Sequence, residues 1–312
     1  MIGALLRPAR RAWSVLMAVL EVMDERNIGL VAAGTGFFAM LALFPALAAL
    51  IAIWGLVADP QVVGTLLDDV RDFLPSGAFQ ILDAQVDTLL NAETEALGWA
   101  TVLSTGLSLF WARQGVAALV RGLNAVYRER HRNVVRRQLN VLVLTGALVL
   151  LGIVALVALV SVPVILAYAP LGIYMQNALI AGQWIVVLTV LILAFGMLYR
   201  YGPNRAKARP AWISPGAVLA VLLWGGASYA FSLYLANFGR YNEVYGSLGA
   251  VVALLMWLYL SAYVTLLGAA LNAELELRTK KDTTDPPARP MGRRGAYVAD
   301  HYVPPDQEPE SS

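Results

Sequence analysis

Five stretches of this chain, residues 27–58, 96–112, 138–199, 210–239 and 244–273, contain no Asp, Glu, Lys or Arg. Uncharged apolar runs of that length belong where charge is expensive, and one crossing of a bilayer core needs about 20 helical residues. The run 138–199 is therefore too long for a single span. At its centre stand Tyr168-Ala169-Pro170-Leu171-Gly172 and then Gln176-Asn177, a pause that divides it into two helices. The pattern predicts six spans, near 29–57, 97–119, 139–167, 179–199, 212–236 and 247–271.

The basic residues orient them. The gaps in chain order carry 4, 1, 7, 0, 4, 1 and 6 Lys and Arg, so 21 of the 23 fall in alternate gaps. By the positive-inside rule both termini are expected in the cytoplasm. Dividing 138–199 into three spans would put the basic 200–211 loop and the C-terminal end on the opposite side from the other basic gaps. An even number of spans is the consistent choice.

A mean hydropathy of +0.64, with 59% hydrophobic and 14% charged residues, belongs to an integral membrane protein. The outward loop 59–96 holds eight acids against the single Arg71, whereas the inward loop 113–138 holds seven Arg and one Glu. The basic loop reads as topology together with contact to anionic lipid headgroups. Nucleic acid is not an expected partner, because no aromatic stacking platform accompanies the arginines. Cysteine is absent, which removes disulfides and cysteine metal sites. No catalytic residue, metal site or cofactor is predicted. Arg7, Arg10 and Arg11 lack the processing signature of a cleaved leader, so the first span is expected to remain in the mature protein.

Three regions are expected. Residues 1–28 hold a cytoplasmic interfacial helix near 10–24, with Trp13, Leu16, Met17 and Leu20 on one stripe. Residues 29–278 form the all-α, six-helix membrane domain, and 279–312, rich in Pro, Gly and charge, read as a disordered cytoplasmic tail. Gly29, Ala32, Ala33, Gly34 and Gly36 open the first span with small side chains that permit close packing, and Pro45 removes one of its backbone hydrogen bonds. Apolar residues at helical spacing in 60–95, broken by Pro75-Ser76-Gly77, read as two amphipathic helices.

Polar residues near membrane boundaries are the candidates for a substrate path. Arg113 stands beside Trp111 and Gln114, close enough to the inner boundary to extend its guanidinium to the headgroups. Arg121 and Asn124 follow on the same helix. Asn237, Glu243, Tyr245 and Gly246 join the fifth and sixth spans, with the tyrosine suited to an aromatic belt. Asn272 and Glu274 fall where the sixth helix leaves the membrane, and Glu274 is expected to pair with Arg113 or Arg121.

The segments "AAGTGFFAMLALFPALAAL" at 32–50, "FWARQGVAALVRGLNAVY" at 110–127, "LYRYGPNR" at 198–205 and the long block 214–276 resemble the YihY/virulence factor BrkB family. The likeness covers about residues 15–278. It implies six helices, cytoplasmic ends and a bacterial cytoplasmic membrane. Some members carry an old label, ribonuclease BN. The composition argues against transferring it, since the two histidines are His131 in a basic loop and His301 in the tail, and a zinc nuclease needs several converging ligands. The leading expectation is a transport-type protein that moves a lipid or another amphiphile. The alternative is a non-catalytic envelope scaffold recruiting protein partners through the loop 59–96. Substrate, direction, energy source and oligomeric state are not encoded in any motif of the chain.

Overall fold

A computed structural model of the chain describes residues 2–57, 94–129, 134–168, 172–205, 214–237, 247–284 and 288–304. Among these residues the protein is all helical: α1 Ile2–Glu25, α2 Ile28–Val57, α3 Thr94–Val126, α4 Val134–Tyr168, α5 Ile173–Tyr201, α6 Pro215–Asn237, α7 Ser247–Leu277 and the short α8 Tyr297–Asp300. Five of them, α2 and α4 to α7, are long and apolar enough to cross a membrane. The 33-residue α3, which carries Glu95, Arg113 and Arg121, is long without being as apolar. The expected amphipathic pair within 60–95, and Glu243, Tyr245 and Gly246, lie outside the described residues.

Local chemistry sets the ends of these helices. Asn27 takes the left-handed conformation, φ 49°, between α1 and α2, a backbone state that Asn tolerates better than most residues. Arg128 does the same with φ 57° just past α3, and the Glu129 amide closes that turn by donating to the Asn124 carbonyl at 2.8 Å. At the start of α6 the Ser214 hydroxyl accepts from the Ala217 amide at 3.1 Å, with Pro215 at the first helical position, where no amide hydrogen is needed. The long uncharged run does separate into two helices: α4 ends at Tyr168, and α5 starts after Gly172 in extended backbone.

The chain forms two compact units. One comprises Met1–Ala32, Val116–Gly226 and Ala262–Ser312, the other Ala33–Gly115 and Ala227–Ser261, so α2, α3, α6 and α7 each contribute to both. In the second unit Gly36 of α2 sits against the α7 backbone, where an added Cβ would stand 3.0 Å from the Tyr259 nitrogen. This is the small-residue packing expected of the first span, achieved at Gly36. Phe38 stacks on Trp111 with ring centres 6.1 Å apart, and the Trp257 indole donates to the Ser228 hydroxyl at 3.3 Å.

The first unit holds the main apolar core, in which Val19, Met23, Ile28, Leu123, Leu266 and Leu277 are buried together. Helices α4 and α5 pack along each other, while Leu142, Val143, Leu150, Ile153 and Val157 of α4 face outward. Apolar surface on that scale is costly in water and stable against lipid. Trp13, Leu16, Met17 and Leu20 of α1 are likewise exposed, opposite the buried Ala18, Val19, Val22 and Met23.

The C-terminal stretch departs from the disorder its composition implies. Arg294 is buried and donates to the carbonyls of Arg289, Ala299 and Lys280 at 3.1, 2.7 and 3.1 Å. Asp282 accepts from the amides of Thr284 and Arg289 at 2.9 and 2.7 Å. Burial tends to raise the Asp282 carboxyl, but those amides, the Thr284 hydroxyl and the Arg294 charge together hold it below the usual carboxylate value. Val298 completes the docking by joining the main core. A segment poor in apolar residues is ordered here because its charges satisfy one another and the backbone.

Helices α6 and α7 approach closely at Gly216 and Gly268, where a Cβ on Gly268 would meet the Gly216 carbonyl at 2.5 Å and the Tyr199 hydroxyl at 2.6 Å. Substituting Gly268→Ala should cost about 1–3 kcal/mol by overpacking. A thermal-unfolding midpoint of the purified protein that falls by several degrees is the expected reading, and an unchanged midpoint contradicts the close approach.

Candidate functional site

The first unit contains a cluster of buried charges, built from the ends of α3, α5 and α7, the start of α6 and the C-terminal stretch. Arg205, just after α5, and Glu276 of α7 have side chains only 1% exposed, and Arg205 Nη1 donates to both carboxylate oxygens at 2.9 and 2.8 Å. The guanidinium lies 4.4 Å from the centre of the Tyr127 ring, a cation–π contact that strengthens when water is excluded. The Thr283 hydroxyl donates to the same carboxylate, which ties the C-terminal stretch to α7. Removing either partner would strand a charge in an apolar core, so these four residues hold one another in place.

Amide side chains extend this cluster. Asn124 Nδ2 donates to the Val120 carbonyl at 2.7 Å, and its Oδ1 accepts from the Asn204 amide at 2.8 Å, anchoring the turn after α5 to α3. Asn272 Oδ1 accepts from the Gly216 amide at 2.9 Å, which satisfies one of the free N–H groups at the start of α6. Asn272 also hydrogen-bonds Tyr127. Asn124, Asn272 and Glu274 are all buried.

Glu274 has different partners from those the sequence led us to expect. Arg278, one turn further along α7, donates to it at 2.6 Å, and Arg128 approaches to 3.9 Å. Neither is Arg113 or Arg121. The reason is geometric: the left-handed turn after α3 carries Arg128 toward α7, while Arg121 remains exposed on the helix surface. Arg113 is half-buried in the second unit, and Asn237 is the last residue of α6. Of the sequence candidates, the fold therefore brings Asn124 and Asn272 to this cluster, while Glu274 is buried against Arg278 and Arg128. The residues that sequence reasoning missed are Arg205, Glu276 and Tyr127. Glu276 had a visible signal, an acid two residues beyond Glu274 at the end of an uncharged span, but its partner lies 71 positions away.

A cavity of about 280 Å³ adjoins this cluster, between the end of α3, the first turns of α4 and the turn after α5. Four arginines line it, Arg136, Arg137, Arg200 and Arg205, with Asn124, Asn140 and Asn204 among its polar walls and Val120, Leu139 and Val143 among its apolar ones. Among the described residues no carboxylate is part of its lining. Asn140 Nδ2 donates to the Tyr201 carbonyl at 2.6 Å, fixing the start of α4 to the end of α5.

Tyr127 reports on the cluster. Burial pushes its phenol from the ordinary 10.0 up to about 12; the Arg205 charge and the Asn272 hydrogen bond pull it down, and the Glu276 charge adds to the rise. The neutral phenol is thus the form the fold favours. That preference is intact below the ordinary value and is lost as pH climbs from 10.0 to about 12. An alkaline absorbance titration should show tyrosine absorbance still developing toward pH 12, and Tyr127→Phe should remove one tyrosine's share of that late change. A single common transition would contradict the packing described.

Comparison with known proteins places this architecture. The ribonuclease-like protein YfkH of Bacillus subtilis (strain 168) is 30% identical over 257 residues, 80% of this chain and 90% of YfkH. The UPF0761 membrane protein IL2447 of Idiomarina loihiensis is 36% identical over 93 residues, 30% of this chain and 32% of that protein. A UPF0761 membrane protein of Xanthomonas campestris pv. campestris (strain B100) is 37% identical over 101 residues, 30% of this chain and 24% of its own length. No solved structure is similar to the chain. The pattern of virulence factor BrkB matches residues 19–292. With most of its length inside that match, this chain of long apolar helices belongs to the virulence factor BrkB family of membrane proteins.

Proposed function

We propose that this protein crosses the bacterial cytoplasmic membrane six times, with both termini inside, and moves a lipid or another amphiphile across it. The sixth crossing is α3. Its 33 residues make about 50 Å of helix at 1.5 Å per residue, more than the roughly 30 Å hydrocarbon core. Its arginines then lie toward the cytoplasmic end, and α1 lies along the inner surface on its stripe of exposed Trp13, Leu16, Met17 and Leu20.

The observation that carries the reading is the cavity of the first unit. A charged chamber lined by arginines has Leu139 and Val143 in its wall, and those side chains are 58% and 69% exposed on the outward apolar face of α4. A polar headgroup and apolar chains thus find their respective solvents side by side. Arg113, Arg121, Asn237, Glu243, Tyr245 and Gly246 belong to the proposed path as further polar stations. The ribonuclease-like name of YfkH is that protein's and is not extended to this chain.

Reconstitution tests this directly. Proteoliposomes holding the full-length protein should redistribute a fluorescent anionic phospholipid faster than empty liposomes, and Arg113→Ala should return the rate to the empty-liposome level at equal protein content. Protein-independent rates would remove the transport reading and favour the scaffold. A fully active Arg113→Ala variant would remove Arg113 from the path.

A further inference from the structure

We infer that the arginine-lined cavity is a binding site for a phosphate-bearing anion, the headgroup of an anionic phospholipid. Four features of the cavity support such a site, which rests on the reading above only for placing lipid within reach of it.

The first is charge. Arg136, Arg137, Arg200 and Arg205 share one chamber whose lining, among the described residues, contains no acid. Guanidinium groups recognise phosphate oxygens with several directed hydrogen bonds, which makes arginine the preferred residue for such sites. The Arg205 carboxylate partner is Glu276 on α7, outside the chamber lining. Arg205 Nε is buried and has no hydrogen-bond acceptor among the described residues, so its ion pair leaves that donor unused.

The second is the backbone. Arg136 and Arg137 stand in the first turn of α4, where the helix dipole favours an anion. The opposing negative end of α5 is blunted, because the Tyr201 carbonyl accepts from Asn140 and Arg200 occupies the last turn.

The third is size. At about 280 Å³ the chamber falls just under the roughly 300–1,000 Å³ of sites that enclose a whole drug-sized ligand. It suits a headgroup whose chains remain outside. The fourth is the neighbouring surface: Leu139 and Val143 continue from the chamber wall onto the outward face of α4, which provides lipid-like surroundings for those chains. Basic pockets between membrane helices are established headgroup sites in general.

The test uses the full-length protein in a neutral detergent and three probes: short-chain phosphatidylglycerol, short-chain phosphatidylcholine and inorganic phosphate. One variant carries Arg136→Gln with Arg137→Gln; these side chains are exposed and half-buried, so the fold should survive. A control carries Lys281→Gln with Arg293→Gln, both exposed, for the same change in net charge. Phosphatidylglycerol should bind, and the first variant should weaken it by about tenfold or more, as the loss of two charge-assisted contacts implies. The control should bind as wild type, and phosphatidylcholine should bind more weakly throughout.

Equal weakening in both variants, or no weakening in the first, overturns the site. Inorganic phosphate binding as tightly as phosphatidylglycerol overturns the lipid assignment and leaves a soluble phosphate anion as the ligand. Headgroup binding without lipid movement in proteoliposomes refutes transport and not the site. Lipid movement that the first variant leaves intact refutes the site and not transport.

Discussion

Burying the Arg205–Glu276 pair constrains everything around it. Two full charges, each on a side chain 1% exposed, are stable in an apolar interior only when their remaining hydrogen-bonding capacity is met. The fold supplies Tyr127 over the guanidinium and Thr283 on the carboxylate. These contacts draw together the end of α3, the turn after α5, the end of α7 and the C-terminal stretch. The neighbouring amides of Asn124 and Asn272 then fix the turn after α5 and the start of α6. The positions of five segments thus follow from the requirement to satisfy one ion pair.

The rest of the first unit obeys the opposite rule. Outward-facing Leu, Ile and Val on α4 and α5 need lipid as solvent, and their backbone groups are satisfied within the helices. Lipid offers no hydrophobic drive for helices to associate, so packing depends on close backbone approach. The Gly216–Gly268 crossing provides it in this unit and Gly36 provides it in the other. Polar cluster and apolar exterior meet at the arginine-lined cavity, and the proposal of an amphiphilic ligand rests on that junction.

Helices were legible in the sequence because the membrane leaves few alternatives. The division of 138–199 at Pro170 and Gly172 corresponds to the boundary between α4 and α5, and the expected 29–57 and 247–271 overlie α2 and most of α7. The family likeness, too, was readable from a few segments. The charged cluster was not. Glu276 and Arg205 are far apart in the chain, and in a sequence both look like boundary residues that mark topology. Glu274 was assigned the wrong arginines because its partners depend on a left-handed turn at Arg128, which no local pattern announces. Composition also misjudged residues 279–284 and 288–304. Arg294 and Asp282 replace apolar burial there with hydrogen bonds to backbone groups, a compensation invisible to a count of Pro, Gly and charge.

The most direct test of the charge cluster as organising centre is a double-mutant cycle on Arg205→Met and Glu276→Met, read as the unfolding free energy of the full-length protein. Each single change strands a buried charge and should cost about 3–5 kcal/mol. The double variant should then lose clearly less than the sum, with a coupling of about 1–3 kcal/mol. Losses that simply add would show that the two side chains do not depend on each other, and the account of the fold built on them would fail.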